Sequence, residues 1–286
     1  MNWNNRREKF RQQLARNQCI HPGSVFDPVS ARMAESLGFE AGMFAGSVAS
    51  LTVLGDPDLI VLTLSEFAEQ AYRINRACNL PLLVDADHGY GNALNVKRTV
   101  EELETAGVSA LSIEDTDLPW PFGTEGKSRL ISVEEGVGKM KAAVAGRQDS
   151  SLVIAARTSA VSINGVDDAI ERIRAYQETG VDAIFLIGIK QAEQLDQVAE
   201  VCRLPLILGG ASHDMMDLTS LADRGVRISL QGHQPIMAGM QAVYKTLKAL
   251  RQGSAPADLD GVPDSRFIDE FTRAEDFKKW SKLFLD

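Results

Sequence analysis

Cysteine is scarce in this chain: Cys19, Cys78 and Cys202 are the only three among 286 residues. They lie far apart, so they offer neither the close spacing of a zinc finger nor the even count of a disulfide framework. None of them lies at the carboxyl end of a predicted strand, which argues against a thiol nucleophile. These features predict a protein of a reducing compartment, the cytoplasm.

The chain also lacks a basic excess and a long apolar run. Its 30 Lys and Arg residues are outnumbered by 39 Asp and Glu residues, which gives a formal net charge of −9. An acidic chain without a basic cluster is a poor partner for nucleic acid. No apolar segment reaches the ~20 residues that span a bilayer, and the polar N-terminus does not resemble an export signal. We therefore expect neither nucleic-acid binding nor membrane insertion.

What the chain does contain is a regular alternation of short apolar strands and amphipathic helices. After an N-terminal helix, the predicted strands are 19–26, 41–45, 81–85, 109–113, 152–156, 183–187, 205–208 and 226–230. Each is followed by a predicted helix, at 28–37, 65–79, 95–106, 132–146, 166–179, 192–201, 215–222 and 235–251. This pattern predicts an α/β fold, a closed (β/α)₈ TIM barrel with a parallel sheet. The alternative is an open doubly wound sheet, which requires a Gly-rich turn where the chain has Asp27-Pro28.

We expect one domain over residues 1–286, with the barrel at about 19–251. A polar linker follows, and then a helical extension at about 264–286, with a single terminal helix predicted over 266–285. That helix carries an aromatic stripe, formed by Phe267, Phe271, Phe277, Trp280 and Phe284. A helix this aromatic must pack on its own barrel or on a second subunit.

The segment that organises the predicted barrel is LPLLVDADHGYGN, residues 80–92. In an alternating strand Asp85 and Asp87 point to the same face. Two adjacent carboxylates repel each other unless a positive charge lies nearby, and a divalent cation with oxygen ligands is the simplest candidate. A polar strand end that runs into a glycine turn explains the same residues without a metal.

The carboxyl ends of the strands are where barrels place their active sites. Here they carry Gly46-Ser47, Asp85 with Asp87, Glu114-Asp115, Arg157, Gly209-Gly210 and Gly232-His233. We predict a Mg²⁺ ion bound directly by Asp85 and through water by three further acids, Asp87, Glu114 and Asp58. Arg157 and His233 lie across the predicted mouth, where an arginine can bind a substrate carboxylate in bidentate fashion.

Several of these residues also have simpler explanations. Arg157 can serve as a structural partner of Glu114, and Ser47 as a helix or turn cap. The glycines of strands seven and eight, Gly209-Gly210 and Gly232, fit either a phosphate-binding loop or close backbone packing. The other histidines are assigned structural roles: His21, His88 and His213.

The motifs at these strand ends occur in a fixed order: GSVAS from Gly46, DADHGYGN from Asp85, SIEDT from Ser112, AART from Ala155 and QGHQ from Gln231. In this respect the chain resembles the isocitrate lyase and phosphoenolpyruvate mutase superfamily over nearly the whole barrel. Within it the chain is most similar to the oxaloacetate decarboxylase branch, through SVFDPVSAR, TLSEF and VEEGVGK. The resemblance implies that Asp85 holds Mg²⁺ or Mn²⁺. It also implies substrate contacts by four residues: Gly46, Ser47, Arg157 and His233.

One predicted loop departs from the lyase members of that superfamily. Those members carry a Lys-Lys-Cys-Gly-His type motif after strand four, whose thiol handles a proton during carbon–carbon cleavage. The corresponding loop here contains LPWPFGTEGKSRL and has neither cysteine nor histidine. This difference argues against cleavage of isocitrate or methylisocitrate. His233, in contrast, is a feature of the decarboxylase branch.

The resemblance implies Mg²⁺-dependent decarboxylation of oxaloacetate to pyruvate and CO₂ through a metal-stabilised enolate, with Arg157 and His233 as the catalytic residues. The alternatives are another lyase of the superfamily, such as 2-methylisocitrate lyase or phosphonopyruvate hydrolase, a phosphate-ester-binding barrel, or a binding barrel without catalysis. Exchange of the eighth helix between subunits, a superfamily feature, implies a homodimer or homotetramer. The loop of residues 115–132 is a candidate lid.

Overall fold

Eight parallel strands lie side by side in chain order in a computed structural model of the protein, which describes residues 3–210, 212, 215 and 217–286. The strands are β1 Gly23–Ser24, β2 Gly42–Ala45, β3 Leu82–Asp85, β4 Ala110–Glu114, β5 Val153–Thr158, β6 Ala183–Leu186, β7 Leu206–Leu208 and β8 Val226–Ser229. A parallel bridge between Ile20 and Ile228 joins the start of the sheet to its last strand. The predicted (β/α)₈ barrel is confirmed. Strand β1 is shorter than predicted, because Pro22 has no N–H to donate to the sheet.

Helices alternate with the strands, as the sequence predicts. In chain order they are α1 Trp3–Ala15, α2 Pro28–Ser36, α3 Gly46–Ala49, α4 Leu64–Asn75, α5 Ala93–Thr105, α6 Val133–Gly146, α7 Ala160–Ile163, α8 Val166–Tyr176, α9 Ala192–Val201 and α10 Leu218–Asp223. A π-helical turn, Ser50–Leu54, continues α3. The turn ends at Leu54, where Gly55 adopts a left-handed backbone with φ 74°. None of the described helices is long and apolar enough to cross a membrane.

The start of α4 differs from the prediction by one residue. The N-cap is Thr63 rather than Ser65, since Thr63 and Glu66 satisfy each other's backbone N–H groups in a capping box. The apolar face of this helix is buried and consists of Phe67, Ala71 and Ile74.

The chain divides into two compact units, Met1–Gly232 and His233–Asp286. The second unit contains α11 Gln234–Arg251, a 3₁₀ turn at Pro256–Asp258, α12 Ser265–Thr272 and α13 Ala274–Phe284. The single terminal helix predicted over 266–285 is wrong, because Arg273 has a left-handed backbone with φ 62°. Its guanidinium bonds Asp276 at 3.0 Å and lies 5.0 Å from the centre of the Trp280 ring. One domain over the whole chain stays a prediction.

Helix α1 holds the amino ends of the central strands. Nε of Arg7 donates to the carbonyl of Val108 at 3.0 Å, and Nη2 of Arg11 donates to the carbonyl of Leu152 at 2.9 Å. Val108 and Leu152 lie just before β4 and β5. This helix therefore lies at the end of the barrel opposite to the carboxyl ends of the strands.

A buried polar network connects β4, α6 and α8. Tyr176 Oη donates to Asp115 Oδ2 at 2.8 Å, and Nη1 of Arg172 donates to the same oxygen at 3.0 Å. Arg172 Nη1 also donates to the Ile131 carbonyl at 3.0 Å. The network explains the glycine at position 136, because a Cβ on Gly136 would lie 2.2 Å from Tyr176 Oη.

Gly136→Ala should destabilise the protein, because the added methyl group must displace the Tyr176 hydroxyl from Asp115. We expect a loss of about 1–3 kcal/mol in the free energy of unfolding, which is the usual cost of overpacking a core. The matched control is Gly138→Ala on the same helix, where a Cβ meets no atom within 4 Å. In this variant the higher helix propensity of alanine should raise the free energy of unfolding by up to ~1 kcal/mol. Urea unfolding followed by circular dichroism measures both, and equal midpoints would contradict the packing argument.

Candidate active site

The carboxyl ends of three adjacent strands bring oppositely charged side chains together. In the register of the sheet, Asp85 of β3 lies beside Ser112 of β4, and Glu114 of β4 lies beside Arg157 of β5. Asp85 and Glu114 are the last residues of their strands. Because the strands are parallel, these side chains share one end of the barrel, where the sequence predicts the site.

Arg157 pairs with both carboxylates. Its Nη1 donates to Oδ2 of Asp85, and its Nη2 lies 3.6 Å from Oε2 of Glu114. Ser112 Oγ donates to the other Asp85 oxygen at 2.9 Å, and Thr116 Oγ1 donates to Glu114 Oε2 at 2.6 Å. Burial opposes the charge of Arg157, but the attraction of Asp85 and Glu114 outweighs burial and raises its pKa. The guanidinium therefore stays charged in the site.

Asp87 belongs to the turn that follows β3 and not to the strand itself. The strand ends at Asp85, and Asp87 has φ 48°. The prediction that Asp87 shares a strand face with Asp85 is therefore wrong in its reason, because Asp87 is placed by the turn and not by alternation along a strand. A left-handed backbone costs about 1–2 kcal/mol for a residue with a Cβ, and Tyr90 in the same turn has φ 59°. The turn is tied to β4 by the N–H of Glu114, which donates to the Asp87 carbonyl at 2.8 Å.

The Asp87 side chain lies against Gly46 at the start of α3. A Cβ on Gly46 would lie 2.4 Å from Oδ2 of Asp87, so this close approach requires glycine. Ser47 follows in the same short helix and is half-buried. Gly46 of the predicted pair Gly46-Ser47 therefore lies next to the carboxyl group of Asp87.

Asp85, Asp87 and Glu114, together with Arg157, form what we call the acid cluster. Burial raises the pKa of Asp87 well above its usual range, and the charges of Asp85, Glu114 and the exposed Asp58 raise it further, while Arg157 opposes the rise. Burial also raises the pKa of Glu114, against the attraction of Arg157. Three buried carboxyl groups face one guanidinium, so their full ionisation would leave two negative charges in excess and is unfavourable without a further cation.

This excess of negative charge fits a divalent cation. The donors are carboxylate oxygens, the ligands that Mg²⁺ and Mn²⁺ prefer. Over residues 3–210, 212, 215 and 217–286, no group of three His, Cys, Asp or Glu side chains is arranged to hold an ion by itself. The donor set therefore matches an ion that takes one or two carboxylates and keeps several waters, as Mg²⁺ does. Asp85 as the direct ligand stays a prediction.

Other residues at the strand ends have different surroundings. Gly209 is explained by packing, since a Cβ there would lie 2.0 Å from Cδ1 of Ile187. Asp115 points into the buried network of α6 and α8. Gly232, with φ 80°, ends the first unit, and His233 precedes α11 in the second. Because His233 belongs to the second unit, its role at the barrel mouth stays a prediction.

The geometry around two other histidines supports structural roles. His21 Nδ1 lies 2.7 Å from the Ser229 carbonyl, to which it donates when that nitrogen carries the proton. Burial lowers the pKa of His88 to about 4, so its ring is neutral at pH 7. His213 lies outside the described residues.

Sequence reasoning missed three residues near the acid cluster. Ser112 lies two positions before Glu114, so the alternation of β4 could have revealed it. Tyr90 has a buried hydroxyl without a hydrogen-bond partner among the described residues. Burial is the main cause that raises the pKa of Tyr90, and the negative charge of Asp87 raises it further. Lys139 of α6 donates to the His88 carbonyl at 2.9 Å. No local signal relates Lys139 to a turn 51 residues earlier.

Residues 10–251 match the model of the phosphoenolpyruvate phosphomutase family, which is most of the chain. The chain belongs to this family.

Several proteins of known name are similar to this chain. The chain is 56% identical to an oxaloacetate decarboxylase of Bradyrhizobium sp. (strain ORS 278), over 98% of this chain and 97% of that protein. It is 27% identical to phosphonopyruvate hydrolase in a complex with oxalate and Mg²⁺, with a TM-score of 0.85 over 98% of this chain and 99% of that one. It is 29% identical to oxaloacetate acetylhydrolase in complex with 3,3-difluorooxalacetate, with a TM-score of 0.86 over 98% and 97%.

Asp87→Asn should stabilise the metal-free protein at pH 8, whereas Asp85→Asn should destabilise it. A carboxyl group whose pKa is higher in the folded state than in the unfolded state destabilises the fold as pH rises between these two pKa values. The loss begins near pH 4, the unfolded-state pKa, and amounts to about 1.4 kcal/mol of unfolding free energy per pH unit. Asparagine removes this loss at Asp87, but at Asp85 it removes the partner of Arg157. Thermal unfolding with a chelator at pH 5 and pH 8 measures the effect. The gain from Asp87→Asn should be larger at pH 8, and a loss there would contradict the charge argument.

Proposed function

We propose that the protein is a carboxy-lyase that decarboxylates oxaloacetate to pyruvate and CO₂. The observation that carries the proposal is the acid cluster, in which three buried carboxyl groups lie near one half-buried guanidinium at the carboxyl ends of the strands. Such a site suits a divalent cation together with a small α-keto dicarboxylate. The identity of 56% to the Bradyrhizobium protein named oxaloacetate decarboxylase supports this substrate.

We infer that Asp85 holds Mg²⁺ or Mn²⁺ directly and that Asp87, Glu114 and Asp58 bind it through water. The ion would supply Lewis acidity toward the keto acid. The charge excess of the acid cluster supports this assignment, and so does the Mg²⁺ and oxalate complex of phosphonopyruvate hydrolase.

The charge of the acid cluster also implies an order of binding. Without a cation, ionisation of all three carboxyl groups would leave two negative charges more than Arg157 neutralises, and oxaloacetate is itself a dianion. Like charges repel strongly in a buried site, where water screens them poorly. The substrate is therefore expected to bind only after the cation.

Arg157 is positioned to stabilise negative charge during the reaction. Its Nη atoms face Asp85 and Glu114, and its buried Nε–H has no partner among the described residues. In the reaction the C3–C4 bond breaks, CO₂ departs, and the electron pair forms the enolate of pyruvate, which then takes a proton at C3. Arg157 would stabilise the oxyanion of that enolate, an effect for which one donor is worth roughly 3 kcal/mol.

We assign the remaining substrate contacts to three predicted residues: Gly46, Ser47 and His233. Ser47 and the backbone N–H groups of Gly46-Ser47 would orient a substrate carboxylate, and His233 would contact the keto acid. The segment of residues 115–132 would exclude water, since it carries the exposed apolar side chains of Trp120 and Phe122.

The decisive assay measures pyruvate formed from oxaloacetate, corrected for the rate with the same Mg²⁺ and no protein. Asp85→Ala should lower kcat/KM at least ~100-fold, because loss of a residue that only orients a metal ligand already costs 10–100-fold. Asp56→Ala, at an exposed acid of the neighbouring loop, is the matched control and should leave the rate unchanged. A protein-dependent rate that survives both Asp85→Ala and a chelator would exclude the cation. If the protein instead turned over phosphonopyruvate or methylisocitrate, that compound would replace oxaloacetate as the proposed substrate.

We also propose a homodimer or homotetramer in which α11 and the terminal helices contact a second subunit. Helix α11 has no buried residue, and its large apolar side chains follow helical spacing: Met237, Met240, Val243, Tyr244, Leu247 and Leu250. Such a stripe is typical of a helix that packs on a partner. A second copy of the chain is the partner that the family resemblance implies.

Leu247→Asp combined with Tyr244→Asp should reduce the molar mass to that of one chain, or make the chain insoluble, because two charges would enter the apolar interface. Lys245→Asp changes charge on an exposed position of the same helix and should leave the assembly intact. Light scattering after gel filtration measures both variants. An unchanged mass for the double variant would remove α11 from the interface.

The net charge of the chain bears on its partners, and its cysteines bear on its cellular compartment. A net charge of −9 disfavours nucleic acid, so the small keto acid and further copies of the chain are the expected partners. Cys19, Cys78 and Cys202 are free thiols, which favours the reducing cytoplasm.

A further inference from the structure

Lys139 is a buried charge that the proposed reaction does not use. It lies in α6 with 3% of its surface exposed. Burial lowers its pKa, and four carboxylates around it favour the charged form: Glu135, Glu114, Asp117 and Asp115. A buried ammonium is unfavourable unless it has partners of this kind, so its retention calls for a role.

The partner of Lys139 is a backbone carbonyl in the middle of the acid turn, which we define as residues 85–91. Lys139 Nζ donates to the His88 carbonyl at 2.9 Å. The turn contains a run of left-handed residues, with positive φ at Asp87, Gly89, Tyr90 and Gly91. Such backbone cannot pair its carbonyls in a regular strand or helix, so it depends on donors from other elements.

Three consecutive carbonyls of the acid turn are held by three different elements. The Asp87 carbonyl accepts the N–H of Glu114 from β4 at 2.8 Å, and the Gly89 carbonyl accepts Thr99 Oγ1 from α5 at 3.0 Å. Between them, the His88 carbonyl accepts the ammonium of Lys139 from α6. Lys139 is the charged donor of the three, and charge-assisted hydrogen bonds are the stronger ones.

We propose that Lys139 is a positioning residue for the cation site: by holding the His88 carbonyl, it keeps the acid turn in the conformation that aims the Asp87 carboxylate into the acid cluster. The peptide that carries this carbonyl joins His88 to Gly89, so it lies one peptide unit after the left-handed residue Asp87. Loss of the hydrogen bond from Lys139 to the His88 carbonyl would let the backbone of Asp87 relax from its left-handed conformation and would move the Asp87 side chain. The inference rests on the proposed function for the identity of the cation, whereas the restraint on the turn is a property of the metal-free chain.

Other roles for Lys139 make different predictions for metal affinity. If it acted only through its charge, removal of a positive charge near Glu114 would tighten the binding of a cation. If it only filled the core, its removal would lower thermal stability and leave the affinity unchanged below the unfolding transition. A positioning role predicts weaker binding, against the sign of the charge effect.

Lys139→Met tests the proposal with two readouts that need no turnover. In the metal-free protein, hydrogen exchange measured by mass spectrometry should be faster in a peptide that spans residues 85–91. Titration with Mn²⁺, followed by electron paramagnetic resonance, should show affinity reduced about 10-fold or more, the usual effect of removing a residue that orients a metal ligand. Lys139→Arg keeps a cationic donor and should recover most of the affinity.

The matched control is Lys141→Met, an exposed position of the same helix, which should behave as the wild type in both measurements. Unchanged exchange in residues 85–91, or Mn²⁺ affinity equal to or tighter than that of the wild type, would overturn the proposal. Should Lys139→Met not fold, Lys139→Gln, whose amide is too short to reach the same carbonyl, is measured in the same way. A wild-type chain that binds no Mn²⁺ would remove the cation from the proposed function, and exchange alone then decides the restraint on the turn.

Discussion

Repulsion among the carboxylates at one end of the barrel is the constraint on which the rest of the site depends. Arg157 neutralises part of that charge, through Asp85 and Glu114, and leaves Asp87 with a raised pKa. A folded protein retains such an unfavourable group where function requires it. In the proposed function, the same negative charge that weakens the metal-free fold would attract a divalent cation, and the cation would in turn attract a dianionic keto acid.

Strand β4 shows how one element both carries and supports the chemistry. Ser112 and Glu114 point toward the acid cluster, and the N–H of Glu114 also holds the turn that contains Asp87. The next residue, Asp115, points the other way into the buried network with Arg172 and Tyr176. Alternation along the strand therefore divides neighbouring acids between the acid cluster and a buried structural network.

Most of the barrel could be predicted because its strands are short apolar runs between glycine, proline and polar residues, and its helices carry clear apolar stripes. The positions of Asp85, Glu114 and Arg157 followed from the same pattern, since each lies at or near the last residue of a strand. Local choices between similar residues were less predictable. Thr63 and Ser65 are both good helix caps, and only the pairing of Thr63 with Glu66 decides between them.

The sequence by itself determined the order of the strands and helices, the charged residues at the strand ends, and the likeness of their motifs to one superfamily, because periodicity and strand-end position are local properties of the chain. Only the tertiary structure decided how those residues interact. The left-handed turn that places Asp87, the break at Arg273 and the contact of Lys139 with the acid turn all depend on segments distant in sequence. These features are stabilised by burial and by charge interactions that form only in the folded barrel, so no local sequence pattern predicts them.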